Sequence, residues 1–163
     1  MLVYLMRHGI AEERGGRVDD DQRKLTDEGR EKTRDAARGL KALGIKPGAM
    51  LTSPLVRAVE TAEVAAEVFG FSAKKIHLTE SLAPSSPPAL LLKELAALKA
   101  EEVICFGHAP HLDDFIAHVF HCNYTFTSLK KAGAACIEIT NLSPREAVLQ
   151  WIATPKMLKQ LAG

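Results

Sequence analysis

Two short apolar runs, far apart in the chain, end in the same chemistry. Val3-Tyr4-Leu5-Met6 leads into Arg7-His8-Gly9, and Val103-Ile104-Cys105-Phe106 leads into Gly107-His108. Runs of this length, apolar at every position and closed by glycine, predict strands buried on both faces of a parallel sheet. Open α/β sheets bind ligands in the crevice beyond the carboxyl ends of their strands, so Arg7, His8 and His108 are expected to be displayed there. Gly9 is expected to let the backbone turn sharply after the first strand.

The rest of the chain supports an α/β reading. After a polar stretch from Ala11 to Lys24, read as an exposed loop, Thr26 is a candidate N-cap, with Asp27 and Glu28 suited to a helix start. Ala36, Ala37, Leu40 and Leu43 then recur at helical spacing up to Gly44. Residues 49–52 predict a brief strand, and Ala58, Ala62, Ala65, Val68 and Phe69 mark a second helix closed by Gly70. Residues 76–78 predict a weaker third strand, residues 81–88 a loop rich in proline and serine, and Pro87 the start of a third helix reaching Leu98. Residues 102–106 supply the fourth strand and residues 110–120 a fourth helix, while residues 135–140 and 148–153 alternate as a terminal strand pair. This order predicts a three-layer α/β/α sandwich around a mainly parallel sheet, with an antiparallel strand at or near an edge. At 163 residues the chain suits one domain with a substantial core, so residues 1–163 are read as a single unit.

Composition narrows the partners. A formal net charge of +1 gives no sign of a nucleic-acid-binding surface, and no apolar run approaches the roughly 20 residues that span a bilayer. Cys105, Cys122 and Cys136 show no Cys-x-x-Cys pairing, and with no leader-like segment at the N-terminus the expected setting is a reducing cytoplasm. Cys105 and Cys136 lie inside apolar runs, where a small buried hydrophobe is the better reading than a reactive thiol.

An anion site needs fixed cations that converge, and a nucleophile if chemistry is to follow. Arg7 comes from the first strand end, and Arg57 stands three residues past Pro54, in the first turn of the second helix. A guanidinium binds two phosphoryl oxygens at once and keeps its charge. A neutral His8 offers a ring nitrogen to phosphorus, and Arg7, Arg57 and a protonated His108 would stabilise the charge that builds on the equatorial oxygens. No metal or other cofactor is required. If His8 acts neutral and His108 protonated, the pair predicts a bell-shaped pH profile.

Leu-Met-Arg-His-Gly at 5–9, Thr-Ser-Pro-Leu-Val-Arg-Ala-Val-Glu-Thr-Ala at 52–62 and Phe-Gly-His at 106–108 resemble the signature segments of the histidine phosphatase superfamily, with its phosphoglycerate mutase-like fold. Leu-Thr-Asp-Glu-Gly at 25–29 and Lys-Met-Leu-Lys at 156–159 further resemble its small bacterial branch, the phosphohistidine phosphatases. The resemblance implies His8 as the phosphorylated nucleophile, with Arg7, Arg57 and His108 as the phosphate pocket. It also makes Glu80 a candidate proton donor, since Leu78-Thr79-Glu80 matches the start of a glutamate segment in which Pro84 replaces glycine. The competing reading of Glu80 is a solvated carboxylate at a strand end. Phosphoramidate nitrogen can be protonated before it leaves, so a phosphohistidine substrate needs a dedicated acid less than an alkyl phosphate does.

Other residues carry paired readings. Ser53 is either a donor to the phosphoryl group or a turn residue, and Thr61 either orients Arg57 or packs. His111 is expected to border the pocket, whereas His77, His118 and His121 read as surface or packing residues. The spacings His108-x-x-His111 and His118-x-x-His121 are poor zinc signals without a cysteine cluster. Asp19, Asp20 and Asp21 read as a solvated loop. With only a short polar loop after strand one, the site should be shallow enough for a phosphorylated protein, such as a histidine-phosphotransfer domain. A phosphatase for small phosphorylated substrates and a non-catalytic phosphoprotein-binding module are the alternatives.

Overall fold

The computed structural model describes residues 1–15, 19–142 and 145–163; residues 16–18 of the polar loop lie outside the described set. Six strands form one sheet: β1 (Leu2–Arg7), β2 (Ala49–Thr52), β3 (His77–Leu78), β4 (Glu102–Gly107), β5 (Ala134–Leu142) and β6 (Arg145–Ala153). Their order is β3-β2-β4-β1-β5-β6, with β1 to β4 mutually parallel and β5 and β6 antiparallel. β1 and β4 lie at the centre, which is why their sequences are apolar without alternation.

Side-chain alternation along those strands divides the core into two. Tyr4, Met6, Ile104 and Phe106 meet Ala36, Ala37 and Leu40 of α1 (Asp27–Ala42), Ala62 and Ala65 of α2 (Val56–Phe69), and Leu158 of α5 (Pro155–Leu161). Val3, Leu5, Val103 and Cys105 face the other way, onto Leu91 and Leu95 of α3 (Pro88–Ala97) and Leu112, Phe115, Ile116 and Val119 of α4 (His111–Val119). Helices thus cover both faces of a mainly parallel sheet, in the phosphoglycerate mutase-like arrangement.

Local signals behave as their chemistry requires. Thr26 caps α1 by accepting from the Gly29 amide at 3.0 Å, and Gly70 ends α2 in the left-handed region at φ 69°. The structure departs from the sequence reading at several boundaries. α3 begins at Pro88, one residue later than expected, and α4 begins at His111. β5 and β6 are longer than the expected residues 135–140 and 148–153, and their pairing shifts register between Cys136 and Ile137 and between Ile139 and Asn141. α5 has no counterpart in the sequence reading; Thr154 caps it, and its length of seven residues is too short for a clear helical period. Gly9 also has a different reason from the one expected. Its φ is not left-handed; instead a side chain there would collide with Thr33 and crowd the Gly29 carbonyl of α1.

Candidate active site

The register of β1 against β4 sets the site. Arg7 pairs with Gly107, so the next residues, His8 and His108, emerge side by side beyond the strand ends. Their ring centroids lie 5.1 Å apart. β2 flanks β4 on its other side, and the turn after it delivers Ser53 and then Arg57 from the first turn of α2. A cleft of about 420 Å³ opens there, lined by Arg7, His8, Arg57 and His108 together with Glu12, Glu13, Arg14, Arg23, Pro84 and Lys131.

His8 is 7% exposed, and its Nδ1 lies 2.8 Å from the Gly9 carbonyl oxygen. A carbonyl only accepts, so this partner assigns the proton to Nδ1 and leaves the lone pair on Nε2. Arg57 Nε donates to that Nε2 at 3.3 Å, which keeps the nitrogen beside a cation. Burial, together with Arg57, Arg7 and Lys131, pushes His8 down to about 4, against the opposing pull of the Gly9 carbonyl. The imidazole is therefore neutral at physiological pH.

His108 shares a 2.8 Å hydrogen bond between its Nε2 and Ser53 Oγ, while its Nδ1 is buried without a partner. Burial, then the neighbouring His8, Arg57, His111 and Arg7, lowers His108 to about 2. Burial first, and then the neighbouring guanidinium groups, disfavour the protonated His108 expected from sequence while no anion is bound. An anion placed among these groups reverses the sign of that field and favours the imidazolium.

Arg7 donates through Nη1 to the Leu129 carbonyl at 2.8 Å, and its Nε is buried without a partner. The Leu129 amide in turn donates to Asp113 Oδ1 at 3.0 Å, and Asp113 attracts the Arg7 guanidinium. Buried polar groups without partners are costly unless a ligand pairs with them, and here the Arg7 Nε donor and the His108 Nδ1, whose role follows the tautomer, belong to cleft-lining residues. α2 holds the arrangement from behind. Thr61 accepts from the Gly9 amide at 3.1 Å and donates to the Arg57 carbonyl, and Glu60 accepts from the Leu25 amide and from Arg30. The Arg-Ala-Val-Glu-Thr segment is therefore as much a clamp on the first loop as a source of Arg57.

Not every expected residue joins the cleft. Glu80 is exposed at the start of a 3-10 turn, outside the residues that line the cleft, whereas Pro84 does line it. His111 is 2% exposed, neither ring nitrogen has a hydrogen-bond partner, and it is not among the residues that line the cleft. His118 and His121 contact Arg145 at the far end of α4, and His77 faces Glu94. Arg14, Arg23, Lys131 and Asp20 were not singled out as site residues by the sequence. Asp20 stays half exposed, as a solvated loop residue would, and in addition its carboxylate contacts Arg57, Arg23 and Arg14. No periodicity marks these residues, since Arg14, Asp20 and Arg23 lie on the polar stretch between β1 and α1 and Lys131 lies in the turn before β5. A second hollow of about 450 Å³, lined by residues such as Lys41, Ile45, Phe69 and Phe71, brings no histidine or cysteine to its wall.

Known proteins share the fold and parts of the sequence. The family model described as the histidine phosphatase superfamily (branch 1) matches residues 3–83. An uncharacterized protein of Picosynechococcus sp. is 35% identical over 138 residues, covering 82% of each chain. Among solved structures, the protein histidine phosphatase SixA complexed with tungstate superposes with a TM-score of 0.86 at 24% identity, over 96% of this chain and 98% of that one. Phosphoserine phosphatase from Entamoeba histolytica, in complex with 3-phosphoglyceric acid, gives 0.73 at 17% identity over 96% and 98%. At these identities the structural matches speak for the fold.

Proposed function

The chain belongs to the histidine phosphatase superfamily, and from that membership we propose that it is a metal-independent phosphohydrolase that works through a phosphohistidine on His8. The observation that carries the proposal is the hydrogen bond from His8 Nδ1 to the Gly9 carbonyl. It leaves a neutral, buried Nε2 that carries no proton and accepts from Arg57 Nε at 3.3 Å, and phosphorus takes the place of that donor when the phosphoryl group engages the guanidinium. In the first step Nε2 bonds to phosphorus while the bond to the leaving group breaks, and the leaving atom takes the electron pair. Arg7, Arg57 and His108 surround the charge spread over the phosphoryl oxygens. Water then attacks the phosphorus, releasing phosphate and restoring His8.

The proposed substrate is phosphohistidine of a signalling phosphotransfer protein in the cytoplasm. Support comes from the position of Glu80 outside the cleft lining and from Glu12, whose Oε2 accepts from the Lys24 amide. A leaving imidazole can be protonated from solvent, so the reaction tolerates a weak acid. Similarity to the SixA structure supports the same reading, and no described helix is long and apolar enough to cross a membrane. A phosphatase for small phosphorylated substrates is the second reading; it is favoured by Glu13, which lines the cleft and is exposed enough to act as an acid there.

The test is turnover of a phosphohistidine peptide and of para-nitrophenyl phosphate, each with and without EDTA. Faster turnover of the phosphoramidate, unaffected by EDTA, is expected. Preference for the ester would favour the second reading, loss of activity on chelation would sink the metal-free mechanism, and no turnover of either substrate would leave a binding module.

A further inference from the structure

The cleft holds more cations than one phosphoryl group engages. Beyond Arg7 and Arg57, the cleft walls carry Arg14, Arg23 and Lys131. Among the described residues, every salt bridge made by the cleft-lining arginines runs to one carboxylate, that of Asp20. Its Oδ1 meets Arg14 Nε at 3.2 Å and Arg23 Nη2 at 2.9 Å, and its Oδ2 meets Arg57 Nη2 at 3.3 Å. Glu12 and Glu13 line the same cleft without forming an ion pair to these arginines. Three guanidinium groups therefore share a single negative charge, and Lys131 adds its own field at His8.

The position of the Asp20 carboxylate also shows that this ring can hold an anion. One guanidinium, that of Arg57, joins the two places, since its Nε faces His8 while its Nη2 faces Asp20. Arg23 is 7% exposed, and its guanidinium is held in place by Asp20 Oδ1 on Nε and Nη2 and by the Glu12 carbonyl on Nη1, so it adds a fixed positive charge to the cleft wall and not a mobile surface charge. If the arginines served only to pin the loop, one would suffice for one carboxylate.

We propose that Arg14, Arg23 and Lys131 form an outer anion subsite, next to the phosphoryl pocket, that takes a second anionic group carried by the substrate. Resting on the phosphohydrolase reading above, this narrows the substrate class to phosphoryl compounds with a neighbouring carboxylate or phosphate. For a phosphohistidine protein, that group is an acidic side chain beside the phosphorylated histidine.

Two measurements decide it. The first is calorimetric binding of inorganic phosphate and of pyrophosphate to the intact protein, and to an Arg14→Ala/Lys131→Ala variant whose altered side chains are both exposed. Pyrophosphate should bind at least about fivefold more tightly than phosphate, with most of that advantage lost in the variant. Equal binding, or an advantage that survives in the variant, would overturn the proposal. The second is the ratio of kcat/KM for phosphohistidine peptides with flanking glutamate or flanking glutamine. A ratio above about five that falls in the variant assigns the second anion to a protein. A ratio near one, beside tight pyrophosphate binding, assigns it to a small molecule. If neither peptide turns over, the phosphohistidine reading fails, and the binding experiment still decides the subsite on its own.

Discussion

Arg57 and Arg14 both contact the carboxylate of Asp20, at 3.3 and 3.2 Å, yet the side chain of Arg57 is 2% exposed and that of Arg14 79%. The two contacts look alike on a distance list and differ in physics. At the mouth, water screens the pair and each partner keeps alternatives, so the contact contributes little. In the inner pocket, water is excluded, and every charge is felt by its neighbours. His8 and His108 stay neutral there because burial and the surrounding cations disfavour a further positive charge. The inner pocket is thus built to be incomplete without an anion, whereas the mouth has already found a partial one in Asp20.

The comparison breaks most sharply at the nucleophile. His8→Ala is expected to reduce phosphoramidate turnover by about 10⁴-fold or more and to abolish labelling of the protein by radioactive phosphoryl donor, read on a gel run at alkaline pH without acid fixation because the phosphohistidine bond is acid-labile. Retention of label would place the intermediate on another residue. Next in size, Arg57→Ala should lower kcat by about 10² to 10³, as for other buried groups that stabilise transition-state charge. For comparison, Arg14→Ala should leave kcat within about fivefold and act on KM in a salt-dependent way. Equal losses in kcat would erase the distinction between inner and outer cations.

Asp113→Ala tests how the pocket is held. Asp113 is buried and accepts from Thr127 Oγ1 and from the Leu129 amide, so its removal should cost about 1–3 kcal/mol in urea unfolding. Turnover should fall in the same variant, because the Leu129 carbonyl positions Arg7. An unchanged unfolding midpoint would show that the loop holds itself.

The two histidines also set a pH dependence. Both folded values lie below the ordinary 6.5, so the unfolded chain binds more protons than the native one from there down to about 4 for His8 and about 2 for His108. Stability present above 6.5 is therefore lost as pH falls, by about 1 kcal/mol per histidine at pH 5.5 relative to pH 7.5. Denaturant midpoints of the intact protein and of His108→Asn at the two pH values check this, the variant losing less. The same shift moves the acid limb of the free-protein rate profile well below the neutral range. Last in size, Arg14→Ala should change stability by less than about 0.5 kcal/mol, measured by thermal melting.

Much of this was legible before any coordinates. Val3 to Met6 and Val103 to Phe106 are apolar at every position, and only a strand buried on both faces uses such a run. Arg7, His8 and His108 stand at the ends of glycine-marked strands, and Arg57 stands in the first turn of the helix that follows a proline-closed one, where chemistry is displayed. The loop from Ala11 to Lys24 was less readable, since it has no period and its aspartates resemble any solvated charges. Asp20 gained its role only through a fold that carries Arg57 to it across 37 positions. α5 was hidden for another reason: with Leu158 as its only buried residue, it leaves no helical stripe in the sequence.

By itself the sequence determined the first four helices, the strands and the residue types at the strand carboxyl ends, because burial on two faces and the turn chemistry of glycine and proline are local demands. Only the tertiary structure decided that β1 lies beside β4 in a register that aligns Arg7 with Gly107, and hence that His8 faces His108. It also decided which charges meet at the cleft and which histidine nitrogen keeps its lone pair. Those outcomes depend on distances between residues far apart in the chain, and on the exclusion of water that packing alone provides.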